Sequence, residues 1–282
     1  MKKSKNIKIL AFLLCLVIFS FAGCTSGDGE MTGYTVCLKT EGGMPIEEIE
    51  IRVYKDSKLS DLVWASRTAE DGKVTFSAPK SEKYVAVLGD LPKGYESQKS
   101  YSVKNEYTVI TPKIVMQKAE NIAEFNCGLG DIIPDFSITD YNGKTYHISK
   151  LLKEKKAVVL NFWYLNCQPC KMEFPFLEQA YKEYKDDIEV LAINPLDGSD
   201  SEISEFANEN KLSFPMAVGE QGFENCFKLN AYPTTVIIDR YGNIAMMHKG
   251  SITDKETFTK IFGYFVSDSY QQTTVRNISD IK

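Results

Sequence analysis

Cys167-Gln168-Pro169-Cys170 follows the apolar run Ala157-Val158-Val159-Leu160-Asn161-Phe162-Trp163-Tyr164 and precedes the helix-forming Lys171-Met172-Glu173. Any fold that accepts this segment must supply a buried strand that delivers two thiols to the start of a helix. Unpaired N–H groups and the positive end of the helix dipole favour a thiolate over a thiol there. The thiolate is the species that attacks disulfides, so the segment is built for thiol–disulfide exchange.

The chain of 282 residues has room for about two domains of roughly 150 residues each. Its formal charge is −5, with Lys and Arg scattered among acids, which disfavours nucleic acid as a partner. Lys2, Lys3, Lys5 and Lys8 form a basic start, and Ile9 to Ala22 an apolar stretch. Together they read as an export signal over residues 1–23. The stretch falls short of the about 20 apolar residues of a membrane-spanning helix. It ends in Phe21-Ala22-Gly23-Cys24, which resembles the lipobox of bacterial lipoproteins, with Phe21 where that motif usually carries Leu. The resemblance implies lipid attachment at Cys24, an extracytoplasmic location and a membrane anchor. Of the seven cysteines, Cys15 lies in the signal, while Cys37, Cys127 and Cys226 belong to neither the lipid nor the reactive pair. Cys37 fits a strand core. Cys127 and Cys226 fit either a bridge or two small buried thiols.

Thr25 to Thr32 reads as a tether, giving residues 24–32 that role, and residues 33–118 read as an all-β module. Tyr34-Val36-Leu38 and Ile49-Ile51-Val53 alternate, and Gly42-Gly43, Asp71-Gly72 and Leu91-Pro92-Lys93-Gly94 mark turns. The spacing predicts a small antiparallel β-sandwich. Thr68-Ala69-Glu70-Asp71-Gly72-Lys73-Val74-Thr75-Phe76 and Leu91-Pro92-Lys93-Gly94-Tyr95 resemble carboxypeptidase-regulatory-like and SpaA-like modules. Such a module spaces or docks a partner; an isopeptide bond from Lys39 lacks an Asn in the last strand. Residues 119–127 read as a linker. Residues 128–266 then alternate α and β, and the polar residues 267–282 read as a frayed tail.

Asn161-Phe162-Trp163, Cys167-Gln168-Pro169-Cys170, Glu173-Phe174-Pro175 and Tyr232-Pro233-Thr234-Thr235 resemble the TlpA/ResA group of thioredoxin-fold thiol–disulfide oxidoreductases. The resemblance covers roughly residues 128–266 and implies a central mixed sheet flanked by helices. No cofactor or metal is called for: zinc wants four ligands, and beyond this pair the chain offers no second such motif and only His147 and His248. Cys167 is expected to be the exposed nucleophile, with Cys170, about one turn on, the partly buried resolving thiol. Glu173 lies three residues beyond Cys170 on the same helix face, placed to exchange that thiol's proton. Asn161 stands where thioredoxins proper carry an acid, and it cannot titrate. Pro175 should kink the helix. The Tyr232-Pro233 match implies a cis-proline loop whose Tyr232 backbone pairs with an extended substrate chain. Trp163 and Tyr164 are expected to wall the cleft, and Lys171 to be a solvated charge.

Two functions follow. One is a tethered extracytoplasmic oxidoreductase, reducing client protein cysteines with electrons from an upstream membrane donor that the sequence does not name. Within it, a general oxidant or a peroxide-handling redoxin stays open. The other is a surface lipoprotein that binds a partner through its β-module and keeps a non-catalytic redoxin domain as scaffold.

Overall fold

A computed structural model describes residues 30–281, so the segment read as an export signal and Cys24 lie outside the described residues. The N-terminal part is strand-rich: β1 (Met31–Leu38), β2 (Glu50–Tyr54), β3 (Leu62–Arg67), β4 (Lys73–Pro79), β5 (Tyr84–Leu88), β6 (Tyr95–Glu96), β7 (Tyr101–Val103), β8 (Tyr107–Ile110) and β9 (Lys113–Ile114). Period-2 side chains drive it. In β4, Val74, Phe76 and Ala78 turn inward while their neighbours face out. They meet Val36 and Leu38 of β1 and Ile51 and Val53 of β2 in one apolar cluster. Three sheets result, ordered β4-β1-β8, β3-β2-β5-β7 and β6-β9. Cys37 is buried in β1.

Two expectations need correction here. The first strand begins at Met31, inside the segment read as a tether, because Met31 and Thr32 continue the ladder to Pro79 and Ala78. The pairing is also not wholly antiparallel. After β7 the chain leaves the second sheet and returns beside β1 in the same direction, so β1 and β8 pair in parallel.

The C-terminal half has a thioredoxin-like fold. A hairpin, β10 (Ser137–Thr139) and β11 (Thr145–His147), turns at Asn142-Gly143, where Gly143 takes a positive φ of 82°. There follow α1 (Ile148–Glu154), β12 (Ala157–Phe162), α2 (Gln168–Tyr184), β13 (Ile188–Asn194), α3 (Asp200–Glu209), β14 (Met216–Val218), α4 (Gly222–Phe227), β15 (Thr234–Asp239), β16 (Ile244–Lys249) and α5 (Lys255–Val266). The central sheet runs β14-β13-β12-β15-β16, with β12, β13 and β14 parallel and β15 and β16 antiparallel to their neighbours. Every residue of β12 is buried, as a strand covered on both faces requires. Ala157 and Val159 face the cluster built by α2, α3 and α5. Val158, Leu160 and Phe162 face the one built by α1 and α4.

The segments read as linker and tail are parts of this half. Ala119 donates to the Asp135 carbonyl and Asp135 to that of Gln117, both at 2.8 Å. Ile122, in a short 3₁₀ turn (Ile122–Glu124), is buried in the α1/α4 cluster. At the other end, the Val275 N–H donates to the Ala245 carbonyl at 2.7 Å, and Tyr270 donates to Asp239 Oδ2 at 2.8 Å. The tail thereby covers the exposed edge of β16, a burial that polar composition conceals. It also reaches the N-terminal part: Gln272 donates to the Gly42 carbonyl at 3.0 Å, and a Cβ at Gly42 would lie 2.3 Å from that of Gln272.

These contacts set an expected result for truncation. A fragment beginning at Val115 should melt cooperatively and keep its thiol chemistry. One beginning at Ala123, which loses Ile122 and the Gln117–Asp135 pairing, should be weaker by about 2–5 kcal/mol, the scale for removing a buried aliphatic side chain. Equal midpoints for the two fragments in thermal unfolding would show that residues 115–122 contribute nothing to this core.

Candidate active site

β12 and β15 run antiparallel with Phe162 opposite Thr234. The end of β12 that leads to Cys167 therefore lies beside the start of β15 that follows Pro233. The sheet register thus brings the two motifs, about 65 residues apart in sequence, to one edge. Between them, Asp197 Oδ1 accepts from the Leu165 N–H and the Asn194 side chain, both at 2.9 Å, which ties the loop before Cys167 to the end of β13.

Cys167 is the N-cap of α2 and is disulfide-bonded to Cys170, with Cα atoms 5.3 Å apart. The Cys170 N–H donates to Cys167 Sγ at 3.2 Å. Among helix-start donors with no partner inside the helix, this one is already aimed at the sulfur that would carry a thiolate charge. The expectation of an exposed Cys167 does not hold in this oxidised state. The residue is 1% exposed and belongs to the apolar cluster that holds Cys170 and Phe174.

Glu173 lies one turn beyond Cys170 and is fully buried. Its Oε1 accepts from the Asn161 side-chain amide and its Oε2 from the Ile252 N–H, both at 2.7 Å. Asn161 in turn donates to Thr235 Oγ1 at 3.2 Å, so β12 and the loop before α5 meet α2 at this carboxyl group and β15 joins through Asn161. Two donated bonds favour the ionised form, but burial outweighs them and pushes the Glu173 pKa up to about 7. The Ile252 contact comes from a main-chain N–H, which no side-chain pattern could have announced. The Asn161 contact was signalled only by a polar residue inside an apolar strand.

Tyr232-Pro233 is a cis peptide bond. The Tyr232 ring meets the Tyr164 ring edge-on at 5.4 Å between centroids, and its hydroxyl donates to Glu224 Oε1 at 3.1 Å. Trp163 requires correction. It does not wall a cleft but is fully buried, packed against Phe174 and Phe206 at centroid distances of 5.2 and 5.1 Å. As the next residue after β12 it continues the inward alternation of Ala157 and Val159, which turns its ring into the core. Pro175 lies inside α2, and Lys171 sits over the Phe206 ring at 5.5 Å.

Residues 129–247 match the AhpC/TSA family. The chain is 36% identical over 135 residues to the thioredoxin-like protein YneN of Bacillus subtilis, a match spanning 47% of this chain and 78% of that protein. It is 34% identical over 131 residues to the thiol-disulfide oxidoreductase ResA of Oceanobacillus iheyensis, spanning 44% of this chain and 67% of that one. A solved thiol:disulfide interchange protein of the thioredoxin family from Chlorobium tepidum superposes with a TM-score of 0.43 and 21% identity, over 50% of this chain and 99% of the other. With two sulfurs bonded at the start of a helix inside a domain of this ancestry, the chain belongs to the thioredoxin-like family of YneN and ResA and is a thiol–disulfide oxidoreductase.

Proposed function

We propose that the protein is a membrane-tethered, extracytoplasmic reductant of client protein disulfides, with Cys167 as attacker and Cys170 as resolver. The observation that carries this reading is the Cys167–Cys170 bond sealed at a helix start one turn from a buried carboxyl. In the reduced enzyme the Cys167 thiolate attacks a client disulfide and expels one client thiolate. Cys170 then attacks the mixed disulfide, losing its proton to Glu173, and expels the second client sulfur as a thiolate. The edge formed by Tyr232 and Pro233 offers main-chain groups to an extended client segment. Trp163 supports the site from within the core and does not touch the client. The N-terminal strands form a separate sandwich module that holds the redoxin domain away from the membrane or docks a partner.

Direction is tested by equilibration. Reduced protein should transfer both electrons to a disulfide-bonded model peptide, while oxidised protein should leave the matching dithiol peptide unoxidised. The reverse pattern would make it an oxidant. Capturing mixed disulfides with Cys170→Ser in the native cell would identify the clients.

The tether rests on Ala22-Gly23-Cys24 behind a basic and apolar leader. Cys24→Ala should abolish lipid labelling and move the protein from the membrane pellet to the soluble or unprocessed fraction. Unchanged processing and pelleting would remove lipidation from the proposal.

A further inference from the structure

Two thiols stand apart from the site. Cys127 precedes the redoxin strands and Cys226 lies in α4, 99 residues later. Their sulfurs are 2.7 Å apart, and the Cys127 N–H donates to the Cys226 carbonyl at 2.7 Å, which fixes the two backbones side by side. Non-bonded carbons rest about 3.5–4.0 Å apart and sulfur is larger, so two thiols kept as small hydrophobes would separate further. Only a short movement separates this arrangement from the about 2.05 Å of a disulfide.

We propose that Cys127 and Cys226 form a second disulfide in the oxidised protein, a structural clamp that fastens the segment entering the redoxin domain to α4. The clamp is distinct from the redox-active pair. Cys167 and Cys170 belong to the apolar cluster on one face of the central sheet, and Cys127 and Cys226 to the cluster on the other. The sheet between them prevents direct exchange. Cys127 is 4% exposed and Cys226 0%, so an oxidant reaches them during folding or local opening. The hydrogen bond with Cys226, and then burial, also push the Cys127 thiol up, toward its protonated form, in the folded chain.

Closure needs an oxidant, and a low-molecular-weight disulfide such as glutathione disulfide suffices. One Cys thiolate attacks it and expels a glutathione thiolate. The second Cys thiolate then attacks the mixed disulfide and expels another. The two protons leave the cysteine thiols, and the two electrons end on the two glutathione thiols. Once closed and buried, the bond is shielded from reductants that open Cys167–Cys170. Because α4 carries Glu224, the acceptor for the Tyr232 hydroxyl, the clamp also steadies one support of the proline loop.

The test uses the full chain, unfolded and reduced, then refolded with glutathione disulfide. Free thiols are blocked with N-ethylmaleimide under denaturing conditions and peptides are mapped by mass spectrometry with and without reduction. The expected result is a linked peptide joining Cys127 to Cys226 beside the Cys167–Cys170 one, and a graded dithiothreitol series that opens Cys167–Cys170 first. Recovery of Cys127 and Cys226 as blocked free thiols, or linkage of either to Cys37, overturns the proposal. A Cys127→Ala/Cys226→Ala double variant, compared with wild type in the oxidised state, should lose about 5 °C or more of thermal midpoint, since the crosslink closes a long loop. Its exchange rate at Cys167 should stay within about twofold. Equal midpoints overturn the clamp role, and should the variant fail to fold, the wild-type map decides alone.

Discussion

Cys167→Ser is expected to lose thiol–disulfide exchange by at least about a thousandfold, because a hydroxyl cannot replace the thiolate that attacks the client. Cys170→Ser should behave differently. It keeps the helix start and the attacking sulfur, so a first burst proceeds and then stalls as a mixed disulfide through Cys167. The asymmetry follows from the helix: Cys167 is the N-cap residue, whereas Cys170 is the residue whose N–H donates to the Cys167 sulfur. The check is stopped-flow exchange with a model disulfide peptide, followed by mass mapping of the trapped species. A Cys170→Ser burst trapped elsewhere than on Cys167 would reverse the assignment of attacker and resolver. Substantial turnover by Cys167→Ser would show that exchange does not run through this sulfur and would overturn its assignment as the attacker.

Much of this site was legible because its parts obey local rules. A run buried on both faces had to be a central strand, and β12 is one. A residue three positions beyond Cys170 had to lie on its helix face, and Glu173 does. What escaped depends on long-range pairing. Trp163 differs from the expectation because alternation puts it on the face of Ala157 and Val159 without saying that helices cover that face; the packing of α2 and α3 decides that. An exposed nucleophile does not follow from helix-start placement alone: in the disulfide-bonded form Cys167 is buried among Cys170 and Phe174, a long-range packing outcome. The tail reads as frayed because Tyr270, Gln272 and Val275 have no helical or strand period; separate long-range partners hold them, the Asp239 carboxylate, the Gly42 carbonyl and the open edge of β16.

Glu173→Gln should flatten the pH dependence of both rate and stability near neutrality. With a pKa of about 7, the carboxyl is divided between its two forms at pH 7, which suits a group that must accept and return the Cys170 proton. Wild type should therefore speed up as pH rises through about 7, while Glu173→Gln stays slow, by about a hundredfold above that point. Attack by Cys167 should change less, since its charge is held by the helix start and the Cys170 N–H. For stability, the folded pKa lies above the unfolded value, so the folded state binds the proton more tightly. Its contribution is complete below about pH 4.5 and is lost as pH rises to about 7, a change on the order of 3 kcal/mol. Asp239, pushed up to about 6 by burial, adds a loss in the same window and is present in both proteins. Only the difference between the two curves therefore reports Glu173. The amide also sets one donor against the Asn161 amide or the Ile252 N–H, which costs about 1–3 kcal/mol but does so equally at every pH. A uniform offset is thus the mark of a misplaced hydrogen bond, and a pH-dependent difference the mark of lost titration. Parallel curves in both denaturant melts and stopped-flow exchange would mean that the proton leaves Cys170 through water instead.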